Sequence, residues 1–342
     1  MAKRDIIVIG ASAGGVYALK ELVATLPADF KASIFVVLHI SPHSPSYLPD
    51  ILNASGPLKT VHPKDGELIL PGHIYVAPPD HHLLVEYDQV IVKRGPKENR
   101  FRPSIDALFR SAAYTYGPRV IGVVLTGMLD DGTSGMWSIK RLGGTCIIQE
   151  PEEAMYSSMP DNVLNYVDVD YSLPIAGIAS SLIQLSSETV PGKLELPSDE
   201  EQRLETEINI AAEDNAFDMG ILNMGELTSL TCPECNGALI SIKEGKIIRY
   251  RCHTGHAYTA SSLLAETTKV VEESFWKAIR SLEETVILLE HSGKHFAEGG
   301  NETAAEQFLE KARQTRERAR KTRDFAMHQD KYSEDSAVPN QP

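Results

Sequence analysis

The N-terminal half of the chain alternates between two apolar rhythms. Unbroken, β-branched runs at residues 6–9, 32–38, 120–125 and 145–149 read as strands buried on both faces of a parallel sheet. Between them, apolar residues recur at helical spacing. Residues 16–23 put Leu19, Leu22 and Val23 on one face, and residues 103–114 do the same with Ile105, Leu108 and Ala112 behind a candidate cap, Ser104. Further helices are expected at 48–52, 133–142 and 154–165. This alternation predicts an α/β domain with a doubly wound, mostly parallel sheet. From residue 60 to 92 short strands such as 73–77 and 83–86 lie between Pro-Gly and Pro-Pro-Asp turns, which predicts antiparallel hairpins at the sheet edge.

The second half is organised differently. Residues 189–226 open on Val190-Pro191-Gly192, pass through Pro197-Ser198-Asp199-Glu200-Glu201 and stay acidic to Asp218, the pattern of a solvated, partly flexible linker. Residues 227–260 form a small module in which a strand-like stretch, 238–250, folds about a Lys243-Glu244-Gly245-Lys246 turn. Residues 261–328 are helical. Val271, Phe275, Ile279, Leu282, Val286 and Leu289 make an apolar stripe, Gly299-Gly300-Asn301 breaks it, and residues 305–323 resume with Phe308, Leu309 and Ala312. A helical hairpin is expected, its stripe packed on its mate or, alternatively, offered to a partner. The polar residues 329–342 are expected to be a disordered tail. The α/β domain itself is assigned to 1–188.

Composition narrows the partners. A formal charge of −14 over 342 residues argues against broad nucleic-acid binding. No apolar run approaches the roughly 18 residues of a membrane span. Met1-Ala2-Lys3-Arg4 leads straight into a strand without signal-peptide character. A cytoplasmic protein with no direct membrane insertion is expected. The cysteines agree: Cys146 stands alone, whereas Cys232, Cys235 and Cys252 cluster with histidines, as metal ligands would in a reducing compartment.

The candidate chemistry begins where the first strand ends. Gly10, Gly14 and Gly15 crowd around Ser12 on a tight strand-to-helix turn, which exposes a hydroxyl and aims helix N–H groups at whatever binds there. A dinucleotide fingerprint fits poorly, because Ser12 takes the place of its middle glycine and the next strand ends in His39 rather than an acid. A turn that merely needs small residues is the other reading. His39 ends the second run, and Asp131 sits in the turn from Thr126 to Gly132 after the third. Ligands of open parallel sheets bind beyond the carboxyl ends of the strands. A hydroxyl, an imidazole and a carboxylate are what serine-based acyl transfer requires. The alternatives are a satisfied buried histidine at 39 and a helix cap at Asp131 or Asp130.

In the C-terminal module, Cys232-Pro233-Glu234-Cys235 and Cys252-His253-Thr254-Gly255-His256 have the spacing of opposed knuckles in a tetrahedral zinc ribbon. Four ligands would close the site, making the Zn²⁺ structural. His256 is favoured as the fourth ligand over His253, since adjacent Cys252 and His253 chelate awkwardly; reduced, unligated cysteines are the alternative. Lys243, Lys246, Arg249 and Arg251 make the hairpin locally basic, and a solvated strand face is favoured over contact with nucleic acid.

Taken together, Ile9-Gly10-Ala11-Ser12-Ala13-Gly14-Gly15, Val37-Leu38-His39-Ile40, Asp65-Gly66-Glu67 and the stretch from Pro71-Gly72-His73 to Pro78 form an ordered set. It continues with Arg102-Pro103-Ser104-Ile105-Asp106-Ala107-Leu108-Phe109-Arg110, Leu125-Thr126-Gly127-Met128 with Asp131-Gly132, and Met159-Pro160. Over about residues 5–188 the chain closely resembles the catalytic domain of the CheB family of chemotaxis protein-glutamate methylesterases. The resemblance implies hydrolysis of γ-glutamyl methyl esters on methylated chemoreceptors or related signalling proteins, often with glutamine deamidation, and no cofactor for catalysis. It implies Ser12 as nucleophile, His39 as general base and acid, and Asp131 as orienting carboxylate, with backbone N–H groups of Ala13 and Met128 serving the oxyanion. Ala13 stands where the family usually has Thr or Ser. The family's N-terminal receiver domain does not precede the first strand, so its control is expected to be absent or supplied by a separate response regulator. The alternative is a catalytically weak signalling scaffold that uses the zinc and helical modules to bind partners.

Overall fold

The computed structural model describes residues 2–212 and 216–328. It divides into two compact units, Met1–Leu263 and Leu264–Pro342. The tail expected at 329–342 lies outside the described residues.

The first unit is built on seven parallel strands among the described residues, in the order Tyr171–Leu173, Thr145–Gln149, Val120–Val124, Ile6–Ala11, Ser33–Leu38, His73–Val76, Lys59–Val61. The central strands are continuously apolar because both faces are covered. Ile7, Ile9, Ile34 and Val36 face the helices Gly15–Ala24, Leu48–Ser55 and Ile175–Leu185. Ile6, Val8, Phe35 and Val37 face Ile105–Tyr116, Thr133–Arg141 and Ser158–Tyr166. The first strand has the second on one side and Val120–Val124 on the other. This is the point where chain order reverses and a crevice opens at the carboxyl ends.

Several expectations need correction. Residues 73–77 were expected among antiparallel hairpins, but His73–Val76 joins the main sheet in parallel on both sides. The antiparallel strands Glu67–Leu68, His82–Glu86 and Gln89–Lys93 form a separate three-stranded sheet. The helix expected at 154–165 starts only at Ser158. Ser104 does not cap the helix it precedes.

The largest difference concerns residues 189–226. Within this expected linker, Ser198–Ala212 is a helix. Three acidic residues in its first turn suit a helix N-terminus, and Leu204, Glu207, Ile210 and Ala211 make a buried stripe. The helix packs on His82–Glu86, Gln89–Lys93 and Ile105–Tyr116. Acidity misled the reading because Glu207 is itself fully buried, held by arginines from distant segments.

The Cys/His module is a four-stranded antiparallel sheet of Glu226–Thr231, Ala238–Glu244, Ile247–Cys252 and Ala257–Thr259. Arg249 and Arg251, read as a solvated basic face, are 2% and 1% exposed. Arg251 donates to Glu98 at 2.5 Å and Glu207 at 3.1 Å. Arg249 reaches Glu207 at 2.7 Å and Glu244 at 3.1 Å. Arg110 completes the cluster with a two-point pair to Glu98, 3.2 and 3.0 Å. Planar guanidinium groups satisfy carboxylates in this paired geometry, so these charges can leave water.

The second unit holds most of the helix Ala260–Glu298 and the helix Glu302–Met327. Asn301 caps the latter by accepting from the Ala304 N–H. Ile279 and Val286 are buried with Ala305, Ala312 and Ala319, whose seven-residue spacing is that of a helix–helix seam. Phe296 stacks on Phe308 and Phe275 tilts against Phe325. Val271, expected in the buried stripe, is exposed. No described helix is long and apolar enough to cross a membrane.

Candidate active site

The first strand ends at Ala11, and Ser12 follows on a sharp turn into the helix starting at Gly15. The Ser12 N–H donates to Thr126 O and its carbonyl accepts from Gly15 N–H. Two glycines make the turn possible. Gly14 has φ 78°, in the left-handed region, and a Cβ there would also meet Met155 and Thr126. A Cβ on Gly127 would lie 2.9 Å from the Ser12 Cβ and still nearer the Met159 sulfur. The backbone after Val120–Val124 therefore passes close to the serine. Ala13 and Gly14 bring the N-terminal end of an otherwise uncapped helix to the same place.

His39 immediately follows Ser33–Leu38. Its Nδ1 lies 3.2 Å from Ser12 Oγ and its Nε2 2.8 Å from Asp131 Oδ2. The carboxylate accepts, so Nε2 carries the proton and Nδ1 is left as an acceptor for the serine hydroxyl. Phe101 stacks on the imidazole at 3.7 Å between ring centres and 9° between planes. The turns thus bring Ser12, His39 and Asp131 into one hydrogen-bonded line.

Asp131 does not cap the helix that follows it. Its Oδ1 accepts from Asn99 Nδ2 (2.9 Å), Ser104 Oγ (3.0 Å) and the Asp106 N–H (3.2 Å), and its Oδ2 from the Ile105 N–H (2.8 Å) besides His39. It therefore caps Ile105–Tyr116 from outside. Asp106 returns the arrangement by accepting from Gly132 N–H and Gly135 N–H, capping Thr133–Arg141. This exchange places both helix N-termini beside Asp131. Burial works to raise the Asp131 pKa. The hydrogen bond and electrostatic attraction of the His39 N–H, with the Asn99 amide and the Ile105 N–H, outweigh it and hold the carboxyl below its ordinary value. For Asp106 burial wins, reinforced by the neighbouring Asp131 charge, and its pKa is raised.

A cleft of about 530 Å³ opens in front of Ser12 and His39, walled by Ala13, Pro42, Phe101 and Arg102. Arg102 is fixed by two bonds to Asp80, 2.9 and 2.6 Å, and one to Gly95 O. Met128 is half exposed beside the turn. Sequence reasoning missed Asn99, Phe101 and Asp106. Asp106 lay inside a quoted motif without a role. Asn99 left no signal except its type, since Asn tolerates the positive φ of 50° that it adopts.

In the ribbon, the Sγ atoms of Cys232, Cys235 and Cys252 and a ring nitrogen of His256 all lie within 4.8 Å of one another. Cys235 and Cys252 sulfurs are 3.7 Å apart, and His256 Nδ1 is 3.7 and 3.6 Å from Cys232 and Cys252. A tetrahedral ion with bonds of about 2.3 Å to sulfur has edges of roughly that length. The four could hold such an ion. His253 is not in this group.

Residues 7–182 match the family model described as CheB methylesterase. A Leptospira interrogans protein, provisionally named protein-glutamate methylesterase/protein-glutamine glutaminase, is 40% identical over 182 residues, covering 53% of this chain and 94% of that relative. The Thermotoga maritima protein-glutamate methylesterase/protein-glutamine glutaminase is 36% identical over 184 residues, 53% of this chain and 54% of its own length. The crystal structure of the T. maritima CheB methylesterase catalytic domain matches with a TM-score of 0.51 and 36% identity, covering 54% of this chain and 99% of that one. The chain thus spans nearly all of the Leptospira relative but about half of the full-length Thermotoga relative.

Proposed function

The chain belongs to the CheB methylesterase family, and from that premise we propose that it hydrolyses γ-glutamyl methyl esters on a methylated chemoreceptor or related signalling protein and deamidates glutamine by the same route. One observation carries the reading: the His39 ring spans Ser12 Oγ and Asp131 Oδ2 at 3.2 and 2.8 Å.

In this mechanism His39 Nδ1 takes the Ser12 proton as Oγ attacks the ester carbonyl carbon. Asp131 holds the Nε2–H and stabilises the imidazolium that forms. Backbone N–H groups of Ala13 and Met128 face the carbonyl oxygen as it gains charge, assisted by the adjacent helix N-terminus. The C–O bond to methanol breaks as His39 returns the proton to it. A water molecule, deprotonated by the same imidazole, then attacks the acyl-enzyme and releases the glutamate carboxylate and free Ser12. With a glutamine side chain the leaving group is ammonia. Ala13 lacks a hydroxyl but keeps its N–H, so the oxyanion role survives.

Cys232, Cys235, Cys252 and His256 are proposed to bind a structural Zn²⁺, supported by the thiolate/imidazole donor set and its spacing. The ion supplies folding energy to the ribbon, and no step of the hydrolysis passes through it.

Methanol release from methylated receptor fragments tests the reading. The full chain should release methanol, and Ser12→Ala should abolish both release and labelling by a fluorophosphonate. Equal release by Ser12→Ala rejects it.

A further inference from the structure

A short segment, residues 97–101, lies between the ribbon and the catalytic residues. Its backbone joins the ribbon strand Ala257–Thr259: the Asn99 N–H donates to Ala257 O at 2.8 Å and the Ala257 N–H to Lys97 O at 3.1 Å. Two of its side chains, Lys97 and Glu98, are bound by parts of the ribbon that flank the cluster, Glu98 also by Arg110. Glu98 is bound by Arg251, the residue before Cys252, and Arg251 also donates to Gly255 O inside the second knuckle at 3.0 Å. Lys97 pairs with Glu234, between Cys232 and Cys235, at 2.7 Å.

The same segment reaches two catalytic side chains. Asn99 Oδ1 accepts from the Thr259 N–H at 3.0 Å and from Ser262 Oγ at 3.3 Å, while Asn99 Nδ2 donates to Asp131 at 2.9 Å and Asp106 at 2.7 Å. Two residues further on, Phe101 lies flat on His39. Asp130, next to Asp131, accepts from Thr259 Oγ1 at 2.7 Å and Ser261 Oγ at 2.6 Å. Asn99 and Arg100 are both left-handed, with φ 50° and 76°. Consecutive non-glycine residues there are strained and persist only when their surroundings impose the conformation. Here the surroundings are the ribbon strand on one side and Arg110, Asp106 and Asp131 on the other.

We infer that the ribbon is a positioning element of the esterase: its loaded cluster holds residues 97–101, and through them Asn99 orients Asp131 and Phe101 orients His39. The inference rests on the proposed esterase reading. Asn99 and Phe101 are positioning residues, since neither takes part in bond making. Loss of the ion frees the second knuckle, which Arg251 and Ala257 flank, relaxes the segment and lets the carboxylate and imidazole drift. Groups that orient first-contact residues are typically worth about 10- to 100-fold when lost, and a 1 Å misplacement has a comparable cost.

The test uses the full chain. Bound zinc is quantified, removed with 1,10-phenanthroline and restored, while hydrogen exchange of peptides covering 97–102, far-UV circular dichroism, fluorophosphonate labelling of Ser12 and methyl-ester hydrolysis are followed. The expected result is faster exchange at 97–102 with retained helical signal, and kcat and labelling lowered about 10- to 100-fold with KM little changed. All should be restored by Zn²⁺. Asn99→Ala in the loaded protein should give a kcat loss of similar size, and zinc removal should then cost it little more, because both act through one link. If zinc removal unfolds the chain, the kcat-against-KM split of Asn99→Ala decides.

Full activity without metal, unchanged exchange at 97–102 on metal loss, additive losses from zinc removal and Asn99→Ala, or an unaffected kcat in Asn99→Ala each overturn the inference. If Ser12-dependent hydrolysis persists through these results, only the positioning role fails. If hydrolysis does not depend on Ser12, the esterase reading itself fails.

Discussion

Two regions of the first unit bury carboxylates, and they do so by opposite means. Asp131 is surrounded by neutral donors: two backbone N–H groups, a serine hydroxyl, an asparagine amide and an imidazole. Glu98 and Glu207 are surrounded by the guanidinium groups of Arg110, Arg249 and Arg251. Neutral donors lower the energy of a charge without cancelling it, so Asp131 can still polarise the imidazole beside it. Guanidinium groups cancel it, and what remains is adhesion between the helix Ser198–Ala212, the catalytic domain and the ribbon. In the proposed mechanism the first arrangement serves chemistry, whereas the second ties separate segments together, although both lie within one compact unit.

The sharpest way to break this contrast is to change each carboxylate to its amide. Asp131→Asn should keep the fold and lower kcat on the order of 10⁴-fold, because an amide can turn the imidazole to the wrong tautomer. A loss below tenfold in methyl-ester hydrolysis would remove Asp131 from the chemistry. Glu207→Gln should leave arginine charge uncompensated in the interior and cost about 3–5 kcal/mol in urea unfolding. A near-neutral result would mean that the cluster is not adhesive.

A pH series sharpens the comparison next. Burial opposes the charge on Glu207, but Arg249, Arg110 and Arg251 prevail and hold its pKa at about 2. A depressed carboxyl contributes stability above its unfolded value, near 4.5, and loses it as pH falls towards the folded value. Stability should therefore decline between about pH 4.5 and 2 in wild type, and Glu207→Gln should flatten that decline. Chemical denaturation at several pH values checks it, and parallel curves for the two proteins would contradict the assignment. The smallest effect is expected at Lys97–Glu234, whose side chains are 34% and 24% exposed. Lys97→Ala should change unfolding free energy by less than about 1 kcal/mol, with salt reducing the difference.

The local patterns were legible in part. Residues 6–15 announced a buried strand, a glycine-rich turn and a helix, and His39 and Asp131 could be placed at strand ends from the same rhythm. The knuckle spacing marked the cysteines. The pattern did not reveal that Asp131 and Asp106 cap each other's helices, since each is bonded to a segment about 25 residues away. Nor did it reveal the burial of Arg249 and Arg251, because a strand with alternating arginines looks solvated unless the carboxylates that meet it are known. The helix Ser198–Ala212 was hidden for the same reason.

By itself, then, the order of residues determined what depends on near neighbours: strand and helix periods, the turn that exposes Ser12, and the ligand spacing of the ribbon. Only the tertiary structure decided which distant groups share a hydrogen bond. Asn99 became the link between the ribbon and Asp131, and Glu207 became an interior charge. The physical reason is range. Local conformation is set by sterics and hydrogen bonds within a few residues. The energy of a buried polar group depends on whichever partners the completed fold brings to it, and those partners can be more than a hundred positions away.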